Sequence, residues 1–134
     1  MTTAARTLAL ALRDLDALVL ETNHDARLLL EGPYPPSLKR RVRSDLGHLS
    51  NAQAAQLIAQ VLHRGLRHLV LAHLSEHNNT PAHARREAEA VLELHGSRAA
   101  LHLATQARAL PPIELAAGDA RAFVRPRQLA LFAT

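Results

Sequence analysis

The sequence has 134 residues, 48% of them apolar, which is enough for one domain with its own core. It contains no cysteine, which excludes disulfides and thiolate-based zinc sites, so a metal site would need histidine, carboxylate, backbone oxygen or water. Lys and Arg number 16 against 12 acidic residues, and the excess is uneven, with basic segments at residues 39–43 and after Asp119. Such segments suit phosphate partners, although a solvated face and a disordered tail would explain them equally well.

The apolar N-terminal segment raises the question of a signal peptide. Arg13, Asp14 and Asp16 interrupt it early, and no small-residue cleavage site follows. No segment approaches the length of a transmembrane helix. We therefore expect a soluble, cytoplasmic protein without a membrane partner.

Predicted helices and strands alternate along the chain. In order, the pattern predicts a helix over residues 3–14, a strand over 17–20, a helix over 24–31, a basic helical segment over 37–43, a helix over 52–63, a strand over 69–72, a helix over 81–95, a strand over 99–105 and a weakly patterned fourth strand over 113–115. This alternation indicates an α/β layer architecture. No glycine-rich phosphate loop of the dinucleotide or P-loop type occurs.

Local signals support these boundaries. The short apolar runs at 17–20 and 69–72 are typical of parallel strands covered on both faces. Ser50 or Asn51 is a suitable N-cap for the helix over 52–63, and Thr80 followed by Pro81 predicts the start of the next helix. Gly32 and the following PYPP stretch predict an extended loop.

Polar clusters follow two of the predicted strands, and a third precedes a helix. They contain Glu21, Asn23, His24 and Asp25; His73, Ser75, Glu76 and His77; and Asp45 and His48. Because functional groups of parallel α/β sheets collect beyond the carboxyl ends of the strands, these clusters would meet in one site. Spacing alone leaves the alternatives open, since a histidine after a strand is more often a hydrogen-bonded structural group than a metal ligand.

Three of these stretches carry a family resemblance. LVLETNHD, GPYPPSLKRRVRSDLGHLSN and LVLAHLSEHNNTP, in this order, resemble the C-terminal half of metallo-β-lactamase-fold hydrolases, most closely the YycJ/WalJ-like branch of DNA exonucleases or phosphodiesterases. The ribonuclease Z branch shows a similar scheme. The resemblance runs from about residue 12 to 115, and implies half of an αββα sandwich, a mixed sheet with flanking helices.

The resemblance also implies roles for individual residues. His73 resembles the last histidine ligand of a two-metal site that holds zinc or manganese. Glu21 and His48 resemble the Glu–His pair that assists phosphodiester cleavage, in which a carboxylate stabilises an imidazolium facing the phosphate. The basic segment would hold a nucleic-acid backbone without reading its sequence, and its cations are Lys39, Arg40, Arg41 and Arg43.

One part of the family pattern is missing from this sequence. The signature H-x-H-x-D-H motif, a further histidine ligand and the bridging aspartate precede the matching region in the family. One ligand cannot hold two metals, so we expect the isolated chain to bind none tightly and to be inactive. The expectation is a fragment of a longer enzyme or a degenerate relative, with an uncovered sheet face that pairs with the missing half or with itself.

The C-terminal residues 116–134 form a basic tail, which we expect to be flexible and separate from the half-domain of residues 1–115. Its QLALF stretch resembles the short peptide by which bacterial DNA enzymes dock on the sliding clamp, with Gln128, Leu129, Leu131 and Phe132 as the anchors. A last strand packed on the domain is the alternative. Clamp docking would favour DNA as the substrate of the parent enzyme.

Three functions therefore remain. The first is part of a two-metal phosphodiesterase that acts on nucleic acid, most simply a DNA exonuclease. The second is a degenerate, non-catalytic module that docks on the clamp through the tail. The third keeps the fold and hydrolyses another small-molecule ester, a lactam or a cyclic nucleotide, with the basic segment arguing against the lactam.

Overall fold

The computed structural model describes residues 3–115 and contains five helices and three strands in that range. In chain order these are α1 (Thr3–Ala11), β1 (Ala17–Glu21), α2 (Ala26–Glu31), α3 (Pro36–Arg43), α4 (Asn51–Val61), β2 (His68–Ala72), α5 (Pro81–Leu94) and β3 (Ala100–Leu103). The α/β architecture predicted from the alternating pattern is confirmed. None of the described helices is long and apolar enough to cross a bilayer.

Side chains at the helix starts explain where three helices begin. The Asp25 carboxylate accepts from two backbone amides of α2, and Thr80 caps α5 with Pro81 at the first helical position. Ser50 and Gln53 form a reciprocal capping box at the start of α4. The predicted caps at Ser50 and Thr80 are therefore confirmed.

The predicted fourth strand is wrong. Residues 113–115 have no strand structure, and they follow Pro111 and Pro112. Proline has no amide hydrogen to donate to a neighbouring strand. Two successive prolines therefore disfavour the start of a strand at residue 113.

The three strands form a parallel sheet in the order β1-β2-β3. The register aligns the last residue of β1, Glu21, with Ala72 at the end of β2. Within the described residues no antiparallel strand joins this sheet, so the mixed sheet implied by the resemblance is not seen there. The carboxyl ends of the strands share one edge, which gathers the residues that follow them.

One face of the sheet is packed against helices. Leu18 and Leu20 of β1 and Leu69 and Leu71 of β2 belong to the same apolar cluster as residues of α1, α4 and α5. The opposite face carries Val19, which is 67% exposed, and its neighbour Val70 in β2, which is buried. The sequence predicted strands covered on both faces, and this is wrong for β1, where buried and exposed residues alternate.

Candidate active site

The three residues that the family resemblance singled out lie together at the carboxyl edge of the sheet. Glu21 is the last residue of β1, His73 directly follows β2, and His48 lies in the loop between α3 and α4. Parallel pairing brings the first two together, and the loop brings in the third. The structure thus joins residues separated by as many as 52 positions.

Glu21 is the common partner of both histidines. Its Oε1 atom lies 2.7 Å from Nδ1 of His48 and 2.5 Å from Nδ1 of His73, and its Oε2 atom accepts from the Leu49 amide at 2.9 Å. Because a carboxylate only accepts hydrogen bonds, both Nδ1 atoms act as donors. None of the hydrogen bonds in the described part of the chain uses the Nε2 atom of either histidine, so both Nε2 atoms remain available.

The environment favours the charged form of Glu21. Partial burial raises its pKa, but the Leu49 amide and the hydrogen bonds from His73 and His48 together lower it further, so the net shift is downward. The group is therefore a carboxylate at neutral pH. A charged acceptor strengthens both hydrogen bonds and stabilises any positive charge on the imidazoles.

His73 adopts an unusual backbone conformation. Its φ of 59° lies in the left-handed region, which non-glycine residues rarely occupy. The Asn23 side-chain amide donates to the His73 carbonyl oxygen at 3.0 Å. This bond fixes the backbone from which the imidazole reaches Glu21.

The loop that carries His48 is held at both ends. The His48 amide donates to the carbonyl oxygen of Val42 at the end of α3, and Asn23 donates its amide to the carbonyl oxygen of Leu49. A Cβ atom on Gly47 would overlap the carbonyl oxygens of α3, so the turn before His48 requires glycine. His48 is thus positioned by backbone contacts as well as by Glu21.

A buried amide network lies under the site, and the sequence reasoning did not identify it. The side chains of Asn51 and Asn79 donate to each other, and Asn79 also donates to the carbonyl oxygen of Thr22 just after β1. Both asparagines are at least 94% buried, at 2% and 6% exposure. The only signal in the sequence was an asparagine next to each helix cap, in LSN and in NNT.

The basic helix α3 leads directly into the His48 loop. Arg40, Arg41 and Arg43 are exposed and form no ion pair among the described contacts. Lys39 differs, because its Nζ atom donates to the carbonyl oxygen of Leu30 at 2.6 Å and thereby ties α3 to α2. Of the four side chains predicted to contact phosphate, the three arginines have no ion-pair partner among the described residues, whereas Lys39 is bonded to Leu30.

Other predicted residues lie outside the Glu21 group. Asp45 is exposed in the loop before His48, and Glu76 lies on the rim of a cleft of about 310 Å³ beside the two site histidines. A larger cleft of about 580 Å³ lies where α4 and α5 end and contains none of the predicted site residues. The four predicted clamp-docking anchors lie outside the described residues; they are Gln128, Leu129, Leu131 and Phe132.

Glu21, His48 and His73 form a group that would accept a divalent cation, since one donor atom from each lies within 4.8 Å of the others. The hydrogen bonds show which of these atoms are free to bind a cation. The Glu21 oxygens already accept three hydrogen bonds, whereas the histidine Nε2 atoms point to no described partner. His73 therefore fits a metal ion through its free Nε2 with Glu21 behind it, and residues 3–115 hold no second such group for a metal pair.

Comparison with known proteins gives three relatives and no matching family model. The chain is 44% identical over 85 residues to the exodeoxyribonuclease YycJ of Bacillus anthracis, a match that covers 63% of this chain and 32% of that protein. It is 42% identical over 64 residues to the exodeoxyribonuclease WalJ of two Streptococcus pneumoniae strains, covering 48% of this chain and 24% of those proteins.

The chain thus spans about a quarter to about a third of the length of the curated relatives that it matches. The identity is nevertheless high over the matched residues. The likeness recognised from the sequence is confirmed: over the matched residues the chain is similar to proteins named exodeoxyribonuclease YycJ and WalJ.

Proposed function

We propose that this chain is the C-terminal half of a metal-dependent nucleic-acid phosphodiesterase, with DNA exonuclease activity in the complete enzyme. Residues 1–115 would form the half-domain, and residues 116–134 the tail. The observation that carries the proposal is the sharing of the Glu21 carboxylate by His48 and His73 at the carboxyl edge of the sheet. The relatives are all named exodeoxyribonucleases, which supports the choice of DNA.

In this proposal His48 handles a proton. Its Nδ1–H bond to the charged Glu21 stabilises the imidazolium, whose Nε2–H faces away from the carboxylate. The imidazolium donates that proton to the oxygen that leaves phosphorus, or keeps it and offsets the charge that develops on the phosphate. Glu21 would hold the ring and its protonation state without touching the substrate.

His73 would serve as a metal ligand through Nε2. Its Nδ1–H donates to Glu21, which fixes the ring orientation and makes Nε2 more basic, as carboxylates do behind metal-binding histidines. A pair of zinc or manganese ions, when bound, would supply a nucleophilic hydroxide and neutralise phosphate charge. The other ligands must come from residues beyond the described part of this chain.

The exposure of Val19 on the second face of the sheet supports the assignment of a half-domain. Val19 is 67% exposed in the middle of β1, whereas Val70, its neighbour on the same face in β2, is buried. A complete α/β layer structure usually buries both faces of such strands, and β1 is open on one of them. The remaining half of an αββα sandwich, or a second copy of this chain, would cover it.

The test measures metal-dependent degradation of labelled DNA by the longest reading frame that contains this chain. Glu21→Gln and His48→Ala should each lower kcat by about 10²–10⁴-fold while leaving the fold intact. His95→Ala, an exposed histidine at the end of α5, is the matched control and should change kcat little. Unchanged cleavage in Glu21→Gln and His48→Ala would show that the assigned roles are wrong.

The tail supports a second candidate function. The stretch QLALF after the basic RPR would dock on a DNA sliding clamp with or without catalysis by the domain. A synthetic peptide of residues 125–134 should bind the clamp, and the same peptide with Phe132→Ala should lose most of its affinity. No binding by the unaltered peptide would remove this candidate.

A further inference from the structure

We propose that Tyr34 and His77 bind the nucleobase of the nucleotide whose phosphate lies at His48 and His73. The proposal rests on the nucleic-acid phosphodiesterase function and adds the subsite that holds the base. It concerns the cleft of about 310 Å³ that adjoins the Glu21 group. Its lining includes both rings together with the site histidines.

The two rings come from different loops and meet at the cleft. Tyr34 lies in the PYPP stretch between α2 and α3, and His77 lies in the loop after β2. Their ring centroids are 6.0 Å apart with an interplanar angle of 60°. Aromatic rings beside a phosphate site are the common platform for bases, because every base has a π face on which such a ring stacks.

Buried contacts fix these loops against each other. Asn78, next to His77, is 1% exposed, and its Oδ1 atom would lie only 2.6 Å from a Cβ atom on Gly32. The Asn78 carbonyl oxygen also accepts from the Asp25 amide at 2.9 Å. The pair of rings is therefore presented by a rigid junction, which reduces the entropy lost when a ligand binds.

The distribution of polar groups orients the ligand. His48 and His73, which hold the phosphate in this proposal, line the cleft together with Glu76, which adds a negative charge. A phosphate placed near Glu76 would be repelled, whereas the amino groups of a base would be accepted there. Asn23 and Gln106 add amide groups to the lining.

The size of the cleft fits one nucleotide. Its volume of about 310 Å³ is at the lower end of the range of small-molecule sites. Bases inside a continuous duplex are stacked on one another and offer no free face to these rings. The inferred ligand is thus a single unpaired nucleotide, as presented at a strand end, and not a continuous double helix.

The chain carries its own probe for this site. Tyr34 is the only tyrosine and there is no tryptophan, so intrinsic fluorescence arises from Tyr34 alone. We expect dAMP to quench it in a saturable manner, and to bind about 10-fold or more tightly than 2-deoxyribose 5-phosphate, which lacks the base. N-acetyltyrosinamide titrated in parallel corrects for absorption by the nucleotide.

Variants measured by calorimetry separate stacking from other effects. Tyr34→Phe keeps the aromatic face and should bind dAMP with nearly unchanged affinity, whereas Tyr34→Leu and His77→Ala should each weaken binding about 10-fold. His95→Ala is the matched histidine control and should bind dAMP normally. Circular dichroism checks that each variant is folded.

Three results would overturn the subsite: no saturable binding of dAMP, equal affinity for dAMP and 2-deoxyribose 5-phosphate, or unweakened binding by folded Tyr34→Leu. These measurements need neither metal nor cleavage, so they are independent of the activity test. Cleavage that depends on Glu21 and His48 without base-dependent binding would remove the subsite and keep the proposed function. If dAMP binding depended on the base but cleavage were unchanged in Glu21→Gln and His48→Ala, the subsite would stand and the proposed function would fall.

Discussion

The side-chain amides of Asn51 and Asn79 donate to each other's carbonyl oxygens, at 2.9 and 2.8 Å. Asn51 is the first residue of α4, and Asn79 immediately precedes the N-cap of α5. Through Thr22, Asn79 also contacts the backbone that leaves β1. One buried pair therefore fixes the relative positions of three segments that carry or flank Glu21, His48 and His73.

Replacement of Asn79 by alanine should destabilise the domain strongly. It removes the reciprocal bonds and the bond to the Thr22 carbonyl oxygen, and it leaves the buried Asn51 amide unpaired. We expect a loss of about 3 kcal/mol in the free energy of unfolding, measured by urea denaturation.

The exposed Gln56 in α4, the helix that begins at Asn51, provides a control. Gln56→Ala should change the free energy of unfolding by no more than about 0.5 kcal/mol. The double variant Asn51→Ala/Asn79→Ala should cost less than the sum of the single changes, because neither amide is then left without its partner. Strict additivity would contradict a coupled pair.

Gly47→Ala should disturb the site through the backbone. The new Cβ atom would overlap the carbonyl oxygens of Arg41 and Val42, which are main-chain atoms and cannot move separately. We expect a cost of about 1–3 kcal/mol and faster hydrogen exchange of the Leu49 amide as its bond to Glu21 loosens. Both are measurable on the same sample, by denaturation and by NMR.

Gly65→Ala is the comparison for this change. There the new Cβ atom meets the His63 side chain at 2.8 Å, and a side chain can rotate away. Its cost should be smaller, and exchange at Leu49 should be unaffected. Equal costs at both glycines would show that the turn before His48 is not tightly constrained.

His24 should make the fold sensitive to mild acid. Its side chain is 2% exposed with Nδ1 unpaired, and burial, followed by the positive charges of His48 and Arg43, outweighs Glu21 and Asp25 and lowers its pKa. At pH values above about 6.5, the pKa of histidine in the unfolded chain, His24 is neutral in both states and the protein has its full stability. Stability is lost as the pH falls toward the lower folded pKa, because only the unfolded chain takes up the proton.

The measurement compares urea unfolding at about pH 7.5 and about pH 5.5, a window above the range in which Glu21 titrates. His24→Gln should reduce the loss of stability between the two conditions, whereas the exposed His95→Gln should not. An identical loss in His24→Gln and the unaltered chain would mean that His24 is protonated in the folded state.

The elements that define the edge of the sheet could be predicted because their signals are local. The apolar run before Glu21 and the one before His73 indicate strands, and parallel strands place the residues at their carboxyl ends side by side. His48 was grouped with them as a nearby polar cluster, but only the family resemblance paired it with Glu21, because its position depends on a turn between two helices. Periodicity gives no distance across such a turn.

The contacts that support the site could not be predicted for a related reason. Asn51 and Asn79, like Tyr34 and His77, meet through loops whose relative placement depends on the finished packing. The exposure of Val19 could not be predicted either, because a short apolar run does not indicate whether one or both faces of the strand are covered. The false strand over 113–115 arose from counting apolar residues without weighing the two preceding prolines.

The basic helix α3 should contribute to nucleic-acid binding through its arginines more than through Lys39. Three exposed guanidinium groups have no partner among the described ion pairs, whereas the Lys39 ammonium donates to the Leu30 carbonyl oxygen. Each phosphate contact changes the slope of log K against log salt by about 0.7 for single-stranded DNA, because neutralised phosphates release counterions. Replacing all three arginines by glutamine should reduce the slope by about 2, measured by fluorescence anisotropy of a labelled single strand.

Lys39→Gln should lower the slope by less and should reduce stability by about 1 kcal/mol, since it removes the bond that joins α3 to α2. Arg86→Gln, a change of the same type on the exposed side of α5, gives the effect of removing one charge outside α3. If the triple variant lowered the slope by no more than three times the effect of Arg86→Gln, the attraction would come from the overall charge. A selective decrease in the triple variant would instead mean that the nucleic-acid backbone follows α3 toward His48, the residue to which this helix leads.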